Sequence, residues 1–224
     1  VPDTPVTPFD RLFPKRRHIG LWIVVAALLV VLALGGWYVW WLTATRVIAS
    51  SGGLYFLRPV AISVPAFLQG DPRWHDDPLG ATTDSVGDAG CAMTSAAMVL
   101  KFYGVDTDPH RLNAYLTAHH GYEGNGYIIW EKAAKLGRDL KKAYEDSPSY
   151  WRIDHQLMKG NPVIVRLHLR PGETHFVVIA GKRGFDYLIL DPAAAGGKGL
   201  YPLRELTASI DGLRYYRRKK GGKI

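Results

Sequence analysis

The stretch "SVGDAGCAMTSAAMVLKFYG", residues 85–104, holds the one cysteine of the 224-residue chain, Cys91. A lone cysteine cannot close an internal disulfide. This one follows Gly90 and opens an apolar helical run. A small buried thiol would fit that position. So would a nucleophile, because a sulfur at a helix start faces the positive end of the helix dipole and N–H groups that lack intrahelical partners.

A nucleophilic thiol needs a base, and the base needs an orienting acid. Seven histidines follow the apolar N-terminal region: His75, His110, His119, His120, His155, His168 and His175. Most fall in predicted helices or loops, as surface histidines do. His175 differs, because it begins the β-like run "HFVVIAG" directly after the turn "RPGET". His168, on the preceding run, is its rival. Asp191 ends the run "YLILDP", where Pro192 stops the strand. If residues 175–181 and 185–191 form an antiparallel hairpin about "KRG", Asp191 comes back level with His175. A turn-forming Asp-Pro would leave the same trace, but the pairing with His175 favours an orienting role. A tetrahedral intermediate also needs donors for its oxyanion. The Cys91 N–H is one, and the amide of Gln69 in "VPAFLQGDPRW" is the candidate for the second. An ordinary polar loop glutamine would read the same way.

Other chemistries find little support. One cysteine and scattered histidines give no metal-ligand spacing, and His119-His120 and Asp76-Asp77 read as solvent-facing pairs. No phosphate loop of the form GxxxxGK[ST] is present, so no nucleotide or other cofactor is expected. Lys and Arg outnumber Asp and Glu by 28 to 20, a net charge of +8. The excess gathers in "RLFPKRRH" (11–18) and "RYYRRKKGGK" (214–223), which read as solvated tails or as contacts to anionic lipid or an acidic partner. No nucleic-acid motif accompanies them, so nucleic acid is not an expected partner.

The elements that must position these residues follow from pattern. Residues 91–103 predict a helix whose small Ala92, Thr94, Ser95, Ala96 and Ala97 allow close packing on a sheet. A second helix starts at Asp108 as cap with Pro109 in its first turn. A third covers "YIIWEKAAKLG" and stops at Gly137. A fourth runs from Ser147 as cap to Gly160. Then "NPVIVRLHL", "THFVVIAGK" and "FDYLILDP" predict three antiparallel strands. Helices followed by strands give an α+β domain, and with 47% hydrophobic residues the chain can bury a core.

Ahead of that domain, Ile19–Leu42 is 24 residues without a charge. As a helix it spans roughly 36 Å, enough for a bilayer core of about 30 Å. It exceeds the apolar region of a cleaved signal peptide, about 7–15 residues, and so reads as an uncleaved anchor. Arg11, Lys15, Arg16 and Arg17 precede it, and Arg46 is the first charge after it. The positive-inside rule puts residues 1–18 in the cytoplasm and the later domain outside it, in a single-pass inner-membrane protein. Trp37, Tyr38, Trp40 and Trp41 suit the far headgroup layer. The expected organisation is a Pro-rich N-terminal arm at 1–18, a transmembrane helix at 19–42, a linker at 43–59, the soluble domain at 60–217 and a basic tail at 218–224. The chain does not begin with Met, as a trimmed or processed chain would not.

The pieces "FLQGDPRW", "VGDAGCAMTSAAMVLKFYG", "LMKGNPVIV", "THFVVIAG" and "LILDP" together resemble the C-39-like group of papain-fold cysteine peptidases, relatives of the double-glycine peptidases that trim bacteriocin leaders. The resemblance runs from Val64 to Pro192. It implies a papain-like fold, Cys91 as nucleophile, His175 as general base and acid, Asp191 as orienting residue and Gln69 as oxyanion-hole amide. Two departures stand out. Ala92 occupies a position that is often glycine in the group. Gln69 lies 22 residues before Cys91, as in the broader group, whereas exporter-linked members place it closer. The absent ATP-binding motif separates this chain from those exporters.

Two functional readings result. In the first, an outward-facing, membrane-anchored thiol peptidase cleaves a peptide or protein substrate, with the bilayer as partner through residues 19–42. In the second, a peptidase-like subunit serves a larger integral membrane complex, with or without catalysis.

Overall fold

The computed structural model describes residues 19–44, 47–170, 172–193 and 198–219. The chain divides into two units, Val1–Thr45 and Arg46–Ile224. Residues 1–18, and with them the expected cytoplasmic arm and its basic cluster, lie outside the described residues.

The described part of the first unit is one helix, α1 (Ile19–Ala44), 26 residues long. It runs unbroken through Gly35-Gly36 and has no polar face, since it is apolar on every side. Among the described residues it is the one helix long and apolar enough to cross a membrane, by its stretch Gly20–Trp40.

The second unit is α+β, as expected. Its helices are α2 (Val86–Ala89), α3 (Cys91–Phe102), α4 (Pro109–Ala118), α5 (Trp130–Leu136) and α6 (Tyr150–Met158). Its strands are β1 (Ile48–Ala49), β2 (Ser51–Ala61), β3 (Leu140–Asp146), β4 (Val163–Arg170), β5 (Glu173–Leu190), β6 (Tyr201–Pro202), β7 (Ser209–Ile210) and β8 (Gly212–Arg218). Six of these strands form an antiparallel sheet in the order β2-β5-β4-β8-β3, with β6 paired to β5. β1 pairs separately with β7.

Alternation along the strands divides the core between two faces. Ile164, Val178, Ala180 and Tyr216 pack with Met93, Ala96, Ala97 and Leu100 of α3. Val163, Val165, Val177, Ile179 and Tyr215 pack with Ile153 and Leu157 of α6. The small residues of α3 do what their size permits: Thr94, Ser95, Ala96 and Ala97 are buried against the sheet.

Local chemistry explains most helix ends. Asp108 caps α4 by accepting from Arg111 N at 2.9 Å, with Pro109 in the first turn. Gly137 ends α5. Gly160, at φ +71°, takes the left-handed conformation just past the C-cap of α6. The start of α6 departs from expectation. Ser147 is held by the Asp146 carboxylate, so the helix begins at Tyr150 with Ser149 as cap residue.

Three further departures concern strands. The expected linker at 43–59 holds β1 and β2 from Ile48 onward, bonded to β7 and β5. β3 was not anticipated, because "LKKAYED" has too few apolar positions to show a strand. The first half of the C-terminal basic run is no tail. Residues 212–218 form β8 between β4 and β3, burying Tyr215 on one face and Tyr216 on the other. Arg218 donates to Tyr103 O and Lys219 N to Asp139 O, so the fold continues past residue 217. Residues 220–224 lie outside the described ones.

The expected hairpin is contained in β5. If extended throughout, the 16 steps from His175 to Asp191 would span roughly 50 Å. Instead the two side chains touch at 2.7 Å. A Cβ on Gly181 would lie 3.5 Å from Leu188 Cβ. The strand therefore folds back near Lys182–Phe185, where Gly184 has φ +61°. That φ admits glycine without steric cost.

Candidate active site

Cys91 is the first residue of α3. Ser85 and Asp88 form a capping box on α2, and Gly90 joins that short helix to α3. The join is tight, since a Cβ on Gly90 would lie 2.3 Å from the Val86 carbonyl oxygen. One turn beyond the cysteine, the Ser95 hydroxyl donates to Phe176 O at 3.2 Å. This bond fastens the helix to the strand residue that follows His175.

His175 lies near the start of β5 and is buried, at 7% exposure; Asp191, just past the end of β5, is at 3%. His175 Nε2 meets Asp191 Oδ1 at 2.7 Å. The other ring nitrogen is left for the sulfur side, where the Cys91 side chain interacts with the same imidazole. Burial opposes the charged ring. The Asp191 hydrogen bond and the Cys91 side chain outweigh it and raise the His175 pKa to about 9. Burial likewise works against the Asp191 carboxylate. Its bonds from His175, Ala193 N and Tyr201 prevail and hold its pKa below the ordinary value.

Asp191 is thus held by three donors. Ala193 N–H reaches Oδ1 at 2.9 Å, and the Tyr201 hydroxyl reaches Oδ2 at 2.8 Å. Tyr201 was not anticipated from sequence. It sits in the two-residue strand β6, opposite Ile189, and "GLYPLRE" carries no chemical signature. Ser95 was expected only as a small packing residue.

Gln69 lies in the connection between β2 and α2. Its backbone N–H donates to Pro192 O at 2.7 Å, beside Asp191. Its Nε2 donates to Gly87 O at 2.8 Å, in the short helix that leads to Cys91. Gln69 is therefore bonded to both segments that flank the candidate pair, by its backbone on one side and its side chain on the other. Among the described residues its Oε1 is buried without a partner and one Nε2 proton is uncommitted.

The rival histidine is engaged elsewhere. His168 Nε2 pairs with Asp211 at 2.7 Å, next to Arg166. Among the other histidines, His75 pairs with Asp76 and His110 with Asp77. The structure thus joins Cys91, His175 and Asp191, and ties Gln69 to their supports.

Residues 62–221 match the model of the Peptidase_C39 like family. Among solved structures, the chain is similar to a protein from Bacillus anthracis assigned as a C-39-like peptidase. The identity is 17% and the TM-score 0.47, covering 73% of this chain and all of the other. It is also similar to a double-glycine-motif protease of an AMS/PCAT transporter, solved in complex with the leader peptide. There the identity is 20% and the TM-score 0.42, with the same coverage. No curated protein matches.

Proposed function

The chain belongs to the Peptidase_C39 like family, and from that premise we propose that it is a cysteine peptidase held in a membrane by α1. Arg11, Lys15, Arg16 and Arg17 ahead of the helix orient it with the N-terminal arm in the cytoplasm and the catalytic domain on the opposite side. The observation that carries the enzymatic reading is the line Cys91–His175–Asp191, with a half-buried thiol beside a buried histidine and carboxylate, whose histidine favours the protonated state at neutral pH.

In this reading the Cys91 thiolate attacks the substrate carbonyl carbon, and its electron pair forms the C–S bond. Negative charge moves to the carbonyl oxygen. The Cys91 backbone N–H and the free Nε2 proton of Gln69 receive it. His175 gives its proton to the amine nitrogen as the C–N bond breaks, leaving a thioester. Water then attacks the thioester while the neutral imidazole takes its proton. The tetrahedral adduct collapses to a carboxylic acid and returns the thiolate–imidazolium pair. Asp191 keeps Nε2–H engaged, so that the opposite nitrogen faces the sulfur.

The test uses the full chain in detergent or nanodiscs, with a thiol-reactive acyl probe and a peptide library. Wild type labels once and cleaves. Cys91→Ala does neither, and His175→Ala loses cleavage. A folded wild-type protein that neither labels nor cleaves overturns the reading.

A further inference from the structure

β2 is an edge strand of the six-stranded sheet, and its pairing with β5 is irregular. Ser51 pairs with Asp186, Phe56 with Gly184 and Val60 with Lys182. Five steps on β2 therefore match two on β5, and the next four match two more. The surplus residues leave the ladder as bulges, which re-aim side chains away from a sheet.

What they display is apolar. Leu54 is 46% exposed, Tyr55 59% and Leu57 89%. Across the strand pair, Phe185 is 49% exposed and packs edge-on against Tyr55 at 5.0 Å. Such an edge is a liability unless something covers it. Cations surround it. Arg58 and Arg183 are exposed, and Arg204 is exposed and paired with Asp186 at 3.2 Å. Tyr55, Phe185, Arg183 and Arg204 line an open groove of about 460 Å³.

The covalent chain supplies the second argument. α1 ends at Ala44 and the first paired residue of the domain is Ile48. Those four steps reach at most about 14 Å. Whatever surface α1 is seated in, the strands that follow it are leashed close by.

We infer that the bulged β2 edge and Phe185 form a membrane-surface contact, with Leu54, Tyr55, Leu57 and Phe185 entering the interfacial layer and Arg58, Arg183 and Arg204 meeting anionic headgroups. The chemistry matches that layer. Aromatic and aliphatic side chains settle at the boundary, while arginine keeps its guanidinium among phosphates. The inference rests on α1 being a membrane helix.

Cys91 is the sole cysteine, which makes a direct test available. In a Cys91→Ser background, Leu57→Cys and, as control, Tyr127→Cys on the α4–α5 connection each take an environment-sensitive fluorophore. Both native positions are exposed, so neither label disturbs the core, and circular dichroism checks the fold. The full chain goes into phosphatidylcholine nanodiscs with or without phosphatidylglycerol, carrying headgroup-level spin-labelled lipid. The expected result is quenching at residue 57 and none at residue 127. Quenching at 57 should increase with phosphatidylglycerol and weaken in Arg58→Gln/Arg183→Gln.

Failure to co-elute with nanodiscs overturns the membrane-helix premise. Co-elution without quenching at 57 overturns the surface contact alone. Shielding at 57 that depends on protein concentration, and persists without spin-labelled lipid, assigns the edge to a second copy and also overturns the inference.

Discussion

The Tyr201 hydroxyl donates to Asp191 Oδ2 at 2.8 Å, while His175 engages Oδ1 of the same carboxylate at 2.7 Å. The acid is gripped from two sides by residues 26 positions apart in sequence. Burial pushes the Tyr201 pKa up, and the neighbouring carboxylate adds to the effect, so the phenol stays a donor. Tyr201→Phe leaves Asp191 with one fewer donor. It should cost about 1–2 kcal/mol of stability. It should also lower kcat more than it raises KM, because the substrate does not touch this ring in the proposed mechanism. Denaturant unfolding and steady-state kinetics check both.

The imidazolium sets the alkaline behaviour. The His175 pKa is about 9 in the folded chain against an ordinary 6.5, so it is raised on folding. Its contribution to stability is fully present below about 6.5 and is lost as pH rises through about 9. Cleavage should fall on the alkaline side with an apparent pKa near 9, since in the proposed mechanism the proton for the leaving amine comes from His175. Asp191→Asn removes the carboxylate that favours the charged ring and should move that limb to lower pH. A pH–rate profile reads the shift, and urea midpoints across the same range read the stability.

Substitution of Gln69 tests its proposed oxyanion role apart from folding. Gln69→Ala should lower kcat by roughly 10²–10³, the usual loss for one oxyanion donor, while labelling of Cys91 by a small alkylating probe continues. Equal loss of labelling and turnover would instead indicate that the Gly87 and Pro192 contacts of Gln69 hold the site in shape.

Gly90→Ala tests the join ahead of Cys91. The added Cβ would meet the Val86 carbonyl oxygen at 2.3 Å. Backbone cannot swing aside as a flexible side chain would, so α2 and α3 must part. Turnover should drop sharply while the far-UV spectrum, dominated by the rest of the domain, changes little.

Lys182 and Asp154 form a fully buried ion pair. Tyr187 also donates to the carboxylate, and burial lowers the lysine pKa. Lys182→Met should destabilise the domain by about 3–5 kcal/mol, because Asp154 is left buried and charged without its cation. Thermal and denaturant unfolding measure this directly.

Much of the site could be read from sequence because local rules determine it. Asp108 with Pro109, Gly137 and Gly160 mark helix ends through backbone geometry, and the runs around His175 and Asp191 are strongly β-forming. Equal spacing about "KRG" was enough to pair His175 with Asp191. What escaped depends on tertiary context. β8 carries Arg214, Arg217 and Arg218 around two buried tyrosines, so its charge hid a central strand. β2 has Ser51, Gly52 and Gly53 at its start, which resemble a linker until Lys182 donates to Gly52 O and Asp154 accepts from Leu54 N. Tyr201 acts through one hydroxyl and has no periodicity to reveal it.

Those bonds to β2 also decide where the domain can be cut. Gly52 O accepts from Lys182 and Leu54 N donates to Asp154 at 2.7 Å, while Ala49 N donates to the Tyr150 hydroxyl. A fragment begun at residue 62, where the family match starts, would strip two partners from the buried ion pair and uncover β5. Clean release of the domain from α1 is confined to residues 45–47, a three-residue window. Proteolytic shedding elsewhere in this region would yield a destabilised product rather than an intact free domain.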